Sequence, residues 1–196
     1  MSDHAFDTIV RRHDLNEHPF YRAWRAGTLP TSKLVAYAAE YAPFIESIEQ
    51  GWRSLGHDDH AAGEREHARL WGQFRSSLGP ASEPACREAR ALVDEARRSF
   101  ADPVESVGAL YAFESQQPST TRSKLDGLRE HYAAAELATK YFELHADDFG
   151  ERELLRSLTA GLSASDGERA QAACERLCKA MWSALDGILG GCEAAA

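Results

Sequence analysis

Helical periodicity runs through nearly the whole of this 196-residue sequence and its interruptions are short, so strands have almost nowhere to form. The chain resets between Asn16 and Pro19, and Pro19 suits the first turn of a helix carrying Phe20, Tyr21 and Trp24. Gly27-Thr-Leu-Pro is a turn, after which Thr31 or Ser32 caps a long helix through Tyr37, Tyr41, Phe44, Ile48 and Trp52 to Gly56. A helix over about 60–78 puts Leu70, Trp71 and Phe74 on its inner face and stops at Gly79-Pro80. The Arg-rich helix over 84–99 has few large apolar groups and is expected at the periphery. Asp102-Pro103 opens the most apolar helix, Val104 to Glu114, which is expected to continue past Pro118 toward His131. Helices over about 134–146, 151–161 and 166–189 complete an all-α bundle in one domain, residues 1–196, with a frayed tail over 190–196.

Composition narrows the partners. Ala, Leu, Glu and Arg outweigh the β-branched residues, and the net charge of −9 with scattered arginines would repel a nucleic-acid backbone. No apolar run approaches the roughly 20 residues of a membrane span, and the start Met-Ser-Asp-His-Ala-Phe-Asp lacks a leader pattern. A cytoplasmic protein with a small-molecule substrate is expected, with neither nucleic acid nor membrane as partner. Cys86, Cys174, Cys178 and Cys192 are too few and irregular for a disulfide framework, and Cys174 and Cys178 read as small core residues.

Several Glu and His residues are spaced to meet inside such a bundle. Glu64 and His67 form Glu-x-x-His, which places a carboxylate and an imidazole on one helix face, and His60 lies two turns before His67 on that face. The plainer reading is a charged, solvated helix. Glu114 sits within Val107-Gly-Ala-Leu-Tyr-Ala-Phe-Glu-Ser-Gln, where its neighbours are apolar or small, so its carboxylate needs a partner: an arginine, a metal or a catalytic role. His145 ends the helix that carries Tyr141, and Asp148 follows one turn on, where it can equally cap the next helix.

The stretches Ala109-Leu-Tyr-Ala-Phe-Glu-Ser-Gln-Gln-Pro, Lys124-Leu-Asp-Gly-Leu-Arg and Tyr141-Phe-Glu-Leu-His resemble the CADD branch of the haem-oxygenase-like proteins. His18-Pro-Phe-Tyr-Arg-Ala-Trp-Arg-Ala-Gly-Thr-Leu-Pro resembles the first helix shared by CADD, PqqC and TenA-type members. The resemblance implies a haem-oxygenase-like bundle of about seven helices, without implying haem. It also implies a di-iron or iron/manganese oxidase that activates O2 and acts on a small molecule or on its own tyrosine, in the para-aminobenzoate part of folate biosynthesis. His67, Glu114 and His145 fall on metal-ligand positions; Tyr21, Tyr37, Tyr141 and Lys124 fall where the family keeps its tyrosines and its lysine.

The departures are specific. The family's Glu seven residues before His67 is His60, its Asp and His after His145 are Phe149 and Arg152, and the tyrosine before the central Glu is Phe113. Two ligand positions thus lack an evident occupant, with Glu64 available to replace the missing carboxylate and His60 and Asp148 as further donors. Competing readings are a metal-free PqqC-like binder of small molecules, a TenA-like hydrolase, for which no cysteine is suitably placed, and an interaction protein. Bundles of this kind commonly form homodimers.

Overall fold

A computed structural model of the protein describes residues 5–80, 83–133 and 136–191. Its helices are α1 (Ala5–Arg12), α2 (Pro19–Arg25), α3 (Thr31–Ser54), α4 (Asp58–Ser77), α5 (Arg87–Phe100), α6 (Pro103–Glu114), α7 (Gln117–His131), α8 (Lys140–His145), α9 (Gly150–Ala160) and α10 (Ala164–Gly190), with a 3-10 turn at Leu15–Glu17. Among the described residues there is no strand, and no helix is long and apolar enough to cross a membrane.

Helix starts follow from local chemistry. His18 Nδ1 accepts the Phe20 N–H at 3.0 Å, and Pro19 fills the first helical position, where its missing N–H costs nothing. Asp102 Oδ1 likewise accepts from the N–H groups of Val104 and Glu105 at 2.9 and 3.0 Å, ahead of Pro103. The long α3 begins instead after Pro30, whose side chain makes no capping bond, with Thr31 as its first residue.

Helix α6 is apolar on every side, and Ser106 through Glu114 are all buried. It runs through the middle of the bundle, packed against α10, α3, α9 and α5. Its approach to α10 needs a glycine: a Cβ at Gly108 would lie 1.8 Å from the Ala170 carbonyl oxygen. Gly108→Ala is therefore expected to cost about 3 kcal/mol or more, the upper range for overpacking a core. Urea unfolding with an unchanged slope and a lowered midpoint would show this.

The bundle departs from the sequence expectations at three places. Helix α5 is not peripheral: Ala89, Leu92, Val93, Ala96 and Phe100 form a buried stripe against α3 and α10, with the small Ala89 and Ala96 alternating with larger apolar groups. Its arginines face outward, and its Glu95 pairs both with Arg98 of the same helix and with Arg176 of α10. The expected continuous helix from Val104 to His131 breaks at Ser115–Gln116, because Pro118 belongs in a first turn, and Glu114 thereby ends α6. The helix expected over 134–146 starts only at Lys140; residues 134 and 135 lie outside the described residues, as do 192–196 with Cys192 and most of the expected tail.

Candidate metal centre and the cavity beside it

Three helix ends meet a fourth helix around one buried point. Helix α4 brings Glu64, His67 and His60; α6 brings its last residue, Glu114; α8 brings its last residue, His145; and α9 brings Glu151 from its first turn. Carboxylate oxygens of Glu64, Glu114 and Glu151 all lie within 4.8 Å of one another. His67 Nδ1 stands 3.3 Å from Glu64 Oε1 and 3.2 Å from His145 Nε2. His60 sits at the rim, its Nδ1 3.7 Å from Glu151 Oε1 and its ring stacked on Trp52.

The electrostatics are those of a site short of positive charge. Burial drives the Glu114 carboxyl well above the carboxylate range, and the neighbouring Glu151 and Glu64 push it further. Burial and Glu64 likewise push Glu151 up to about 7. Burial opposes charge on His67, yet Glu64, Glu151 and Asp148 together hold its imidazole above the ordinary value. His145 goes the other way, down to about 4, through burial and the adjacent His67.

These residues fit a divalent cation. Glu114 Oε1 is buried without a hydrogen-bond partner, and an orphaned carboxylate oxygen facing two further carboxylates is unfavourable until a cation joins them. His145 Nδ1 lies 2.7 Å from the Tyr141 carbonyl oxygen, which only accepts. Nδ1 therefore carries the proton and Nε2 turns its lone pair into the cluster, the second-shell pattern that orients histidine ligands.

Not every sequence candidate arrives here. Asp148 is exposed, and its Oδ1 accepts the Gly150 N–H at 2.9 Å, the helix-capping alternative. Phe149 is half exposed, and Arg152 turns away to pair with Asp7. Glu151 was missed by sequence reasoning. The spacing of four and seven after His145 assumes an unbroken helix, whereas α8 stops at His145 and a short link of 146–149 rotates the sixth residue inward.

A second group lies on the other side of Tyr141, whose ring is 4.4 Å from that of His145. The hydroxyls of Tyr21 and Tyr37 are 2.8 Å apart, and Lys124 Nζ is 3.4 Å from each. Lys124 also stands over the Tyr21 ring at 4.6 Å. Burial without a carboxylate partner pulls its amine down to about 7, so much of it is neutral near neutral pH. Both tyrosines are pushed well above 10 by burial. Tyr141 Oη accepts from Gln117 Nε2 at 2.9 Å, and Trp71 and Phe113 close the wall. The cavity has a volume of about 10 Å³, room for about one water.

The pattern of the iron-containing redox enzymes matches residues 27–184. The chain belongs to that family. It is 27% identical over 93% of its length to the 4-aminobenzoate synthase of Nitrosomonas europaea and covers 88% of that protein. The 4-aminobenzoate synthase of Chlamydia muridarum is also 27% identical, with 93% and 88% of the two chains covered. Among solved structures, a domain of unknown function with a heme oxygenase-like fold from Shewanella denitrificans superposes with a TM-score of 0.76 at 17% identity, covering 94% of this chain and 89% of that one. A TenA homologue from P. horikoshii gives 0.75 at 14% identity, with 95% of each chain covered. The fold is haem-oxygenase-like, as the sequence resemblance implied.

Proposed function

We propose that this protein is an oxidase dependent on iron, or on iron with manganese, that uses O2 to convert one of its own tyrosines, Tyr21, toward 4-aminobenzoate. The observation that carries the reading is the cavity: Lys124 and two tyrosines fill it down to about 10 Å³, leaving no room for a second aromatic molecule. The ring to be transformed is then one the chain supplies. Tyrosine already has the para-substituted ring of 4-aminobenzoate; the conversion exchanges the phenolic oxygen for nitrogen, for which the adjacent Lys124 amine is the available donor, and shortens the side chain with O2 as the oxidant.

Glu64, His67, Glu114, His145 and Glu151 would hold the metal, with His60 at the rim. Bound there, iron supplies the binding and reduction of O2 that side chains lack. The mixed carboxylate and imidazole set suits iron and manganese. The chain's own residues do the rest. His145 is oriented by the Tyr141 carbonyl, Tyr37 holds the Tyr21 hydroxyl, and Lys124 presents a neutral amine beside that hydroxyl as a proton acceptor. The buried walls keep bulk water from the ring.

Elemental analysis of protein grown with iron and manganese tests the metal, beside a Glu114→Ala/His145→Ala variant. The wild type is expected to carry metal that the variant lacks, and equal content would end the oxidase reading. Mass spectrometry after exposure to reductant and O2 tests the substrate. Loss of mass at the Tyr21 peptide is expected, and an intact Tyr21 in metal-replete protein that has consumed O2 would remove the self-substrate version.

A further inference from the structure

Gln116 lines two spaces at once. On its inner side, with Leu15 and Thr120, it closes the cavity beside Tyr21 and Lys124. On its outer side, with Ser115, Ser119 and Asp14, it borders an open groove of about 380 Å³. The Gln116 side chain, buried between them, is held by two neutral hydrogen bonds: Oε1 accepts the Leu15 N–H at 2.9 Å, and Nε2 donates to the Ala112 carbonyl at 3.0 Å. The groove therefore lies one side chain away from the ring at Tyr21.

In a protein of net charge −9, this groove is locally positive. Helix α1, the junction of α6 with α7, and α9 build it, and three arginines, Arg11, Arg152 and Arg156, face two aspartates, Asp7 and Asp14. Asp7 is already engaged: Tyr111 donates to its Oδ1 at 2.7 Å, and Arg156 donates to its Oδ2. Burial opposes charge on Asp7, yet Tyr111 and Arg156 hold its carboxyl below the ordinary range. Arg152 stands further off, its Nη2 3.6 Å from Asp7 Oδ1, and its buried Nε–H finds no acceptor among the described residues. A guanidinium's planar fork of donors fits a carboxylate, and the fork of Arg152 has donors to spare. Val10 adds an apolar surface to the groove wall.

We propose that this groove is the binding site for the small aromatic carboxylate formed in the cavity, with Arg152 taking its carboxylate group, an assignment that rests on the function proposed above. A ring released at Tyr21 has to leave a space of about 10 Å³, and beyond Gln116 the groove has room for it. The carboxylate also separates product from precursor. The Tyr21 phenol is neutral, pushed well above 10 by burial, so an arginine outside the cavity attracts the product without competing for the tyrosine. A carboxylate is costly in an apolar cavity and favoured in a half-open groove beside a guanidinium, which gives release a direction. Inorganic phosphate, another common ligand of arginines, has no apolar part to lie against Val10.

Calorimetric titration of the metal-free, full-length protein with 4-aminobenzoate tests the site without needing iron or turnover. The wild type is expected to bind 4-aminobenzoate, and to bind the uncharged 4-aminobenzamide about tenfold more weakly or worse, as loss of a charge-assisted pair requires. An equal concentration of inorganic phosphate should leave the titration unchanged. Arg152→Gln should weaken 4-aminobenzoate by about tenfold or more for the same reason. Since Arg152 also stands near Asp7, a second variant separates binding from folding. Ser119→Asp places a carboxylate in the groove from an exposed position in the first turn of α7, where an acid suits the helix, and leaves the partners of Asp7 in place. It should weaken binding of 4-aminobenzoate while keeping the thermal midpoint. No binding by the wild type, equal affinity for the amide, displacement by phosphate, or unchanged affinity in either folded variant overturns the assignment. Failure of the parent reading appears separately, as absence of metal or an intact Tyr21 in the loaded wild type, and neither result enters the titration.

Discussion

Iron added to the metal-free protein at a hundredfold excess over its dissociation constant is expected to raise the thermal midpoint by roughly 5–10 °C, from about 2.7 kcal/mol of linkage. Glu114→Gln should abolish that rise and, at the same time, make the metal-free protein more stable than wild type. Three carboxylates within 4.8 Å are tolerable without metal only while protons replace it. The sign follows from the raised values of Glu114 and Glu151. In the folded protein these groups keep protons that the unfolded chain has released above about 4.5, so stability falls as pH rises through about 7. Each such group contributes a slope of about 1.4 kcal/mol per pH unit. His145, lowered to about 4, opposes this between about 4 and 6.5, so the fall is read as the difference between wild type and Glu114→Gln. Calorimetric scans between pH 5 and 8, with and without metal, would show it. A variant that still gains stability from iron, or a metal-free difference that does not grow with pH, contradicts the assignment.

The second large effect is at Lys124. Lys124→Met should raise the stability of the protein at pH 7 and below while eliminating change at Tyr21. Burial lowers the amine from 10.5 to about 7, which at about 1.4 kcal/mol per unit is on the order of 4–5 kcal/mol as an upper limit. Here the folded state holds fewer protons than the unfolded chain, so wild-type stability climbs with pH from about 7 to about 10.5, and below that window the cost is present in full. Methionine fills similar space without charge, while Tyr21 and Tyr37 keep their mutual hydrogen bond at 2.8 Å. A gain of a few kcal/mol at neutral pH that shrinks toward pH 10 is the expected result of urea titrations. A destabilised Lys124→Met, or one whose difference is flat with pH, would mean that the amine is not held neutral. A buried amine with no carboxylate beside it, kept at a cost to the fold, is the mark of a group retained for chemistry.

Much of this was legible from residue order. The breaks at Pro19, Gly27, Gly56 and Gly79 locate helix ends because proline and glycine act through backbone geometry that is local to them. The motif stretches around Glu114, Lys124 and His145 pointed to a haem-oxygenase-like bundle, and the fold comparisons agree. Glu114 was conspicuous because an ionisable side chain on an otherwise apolar helix needs a partner wherever the helix packs. The peripheral placement of α5 failed for the opposite reason: stripes of Ala, Val and Leu look weak residue by residue, and their value depends on how closely α3 and α10 approach.

Sequence by itself determined that the chain is helical, where most helices begin, and that Glu64, His67, Glu114 and His145 are spaced to share an interior. Those properties depend on neighbours within a turn or two. Only the tertiary structure decided that Glu151 joins them while Asp148 and Arg152 do not, because a helix that stops at His145 changes the face on which every later residue lies. It alone also placed Lys124 against Tyr21, a separation of 103 residues, and shrank the space around them to about one water. Such distances depend on how four separate helices settle against one another, which no local spacing records.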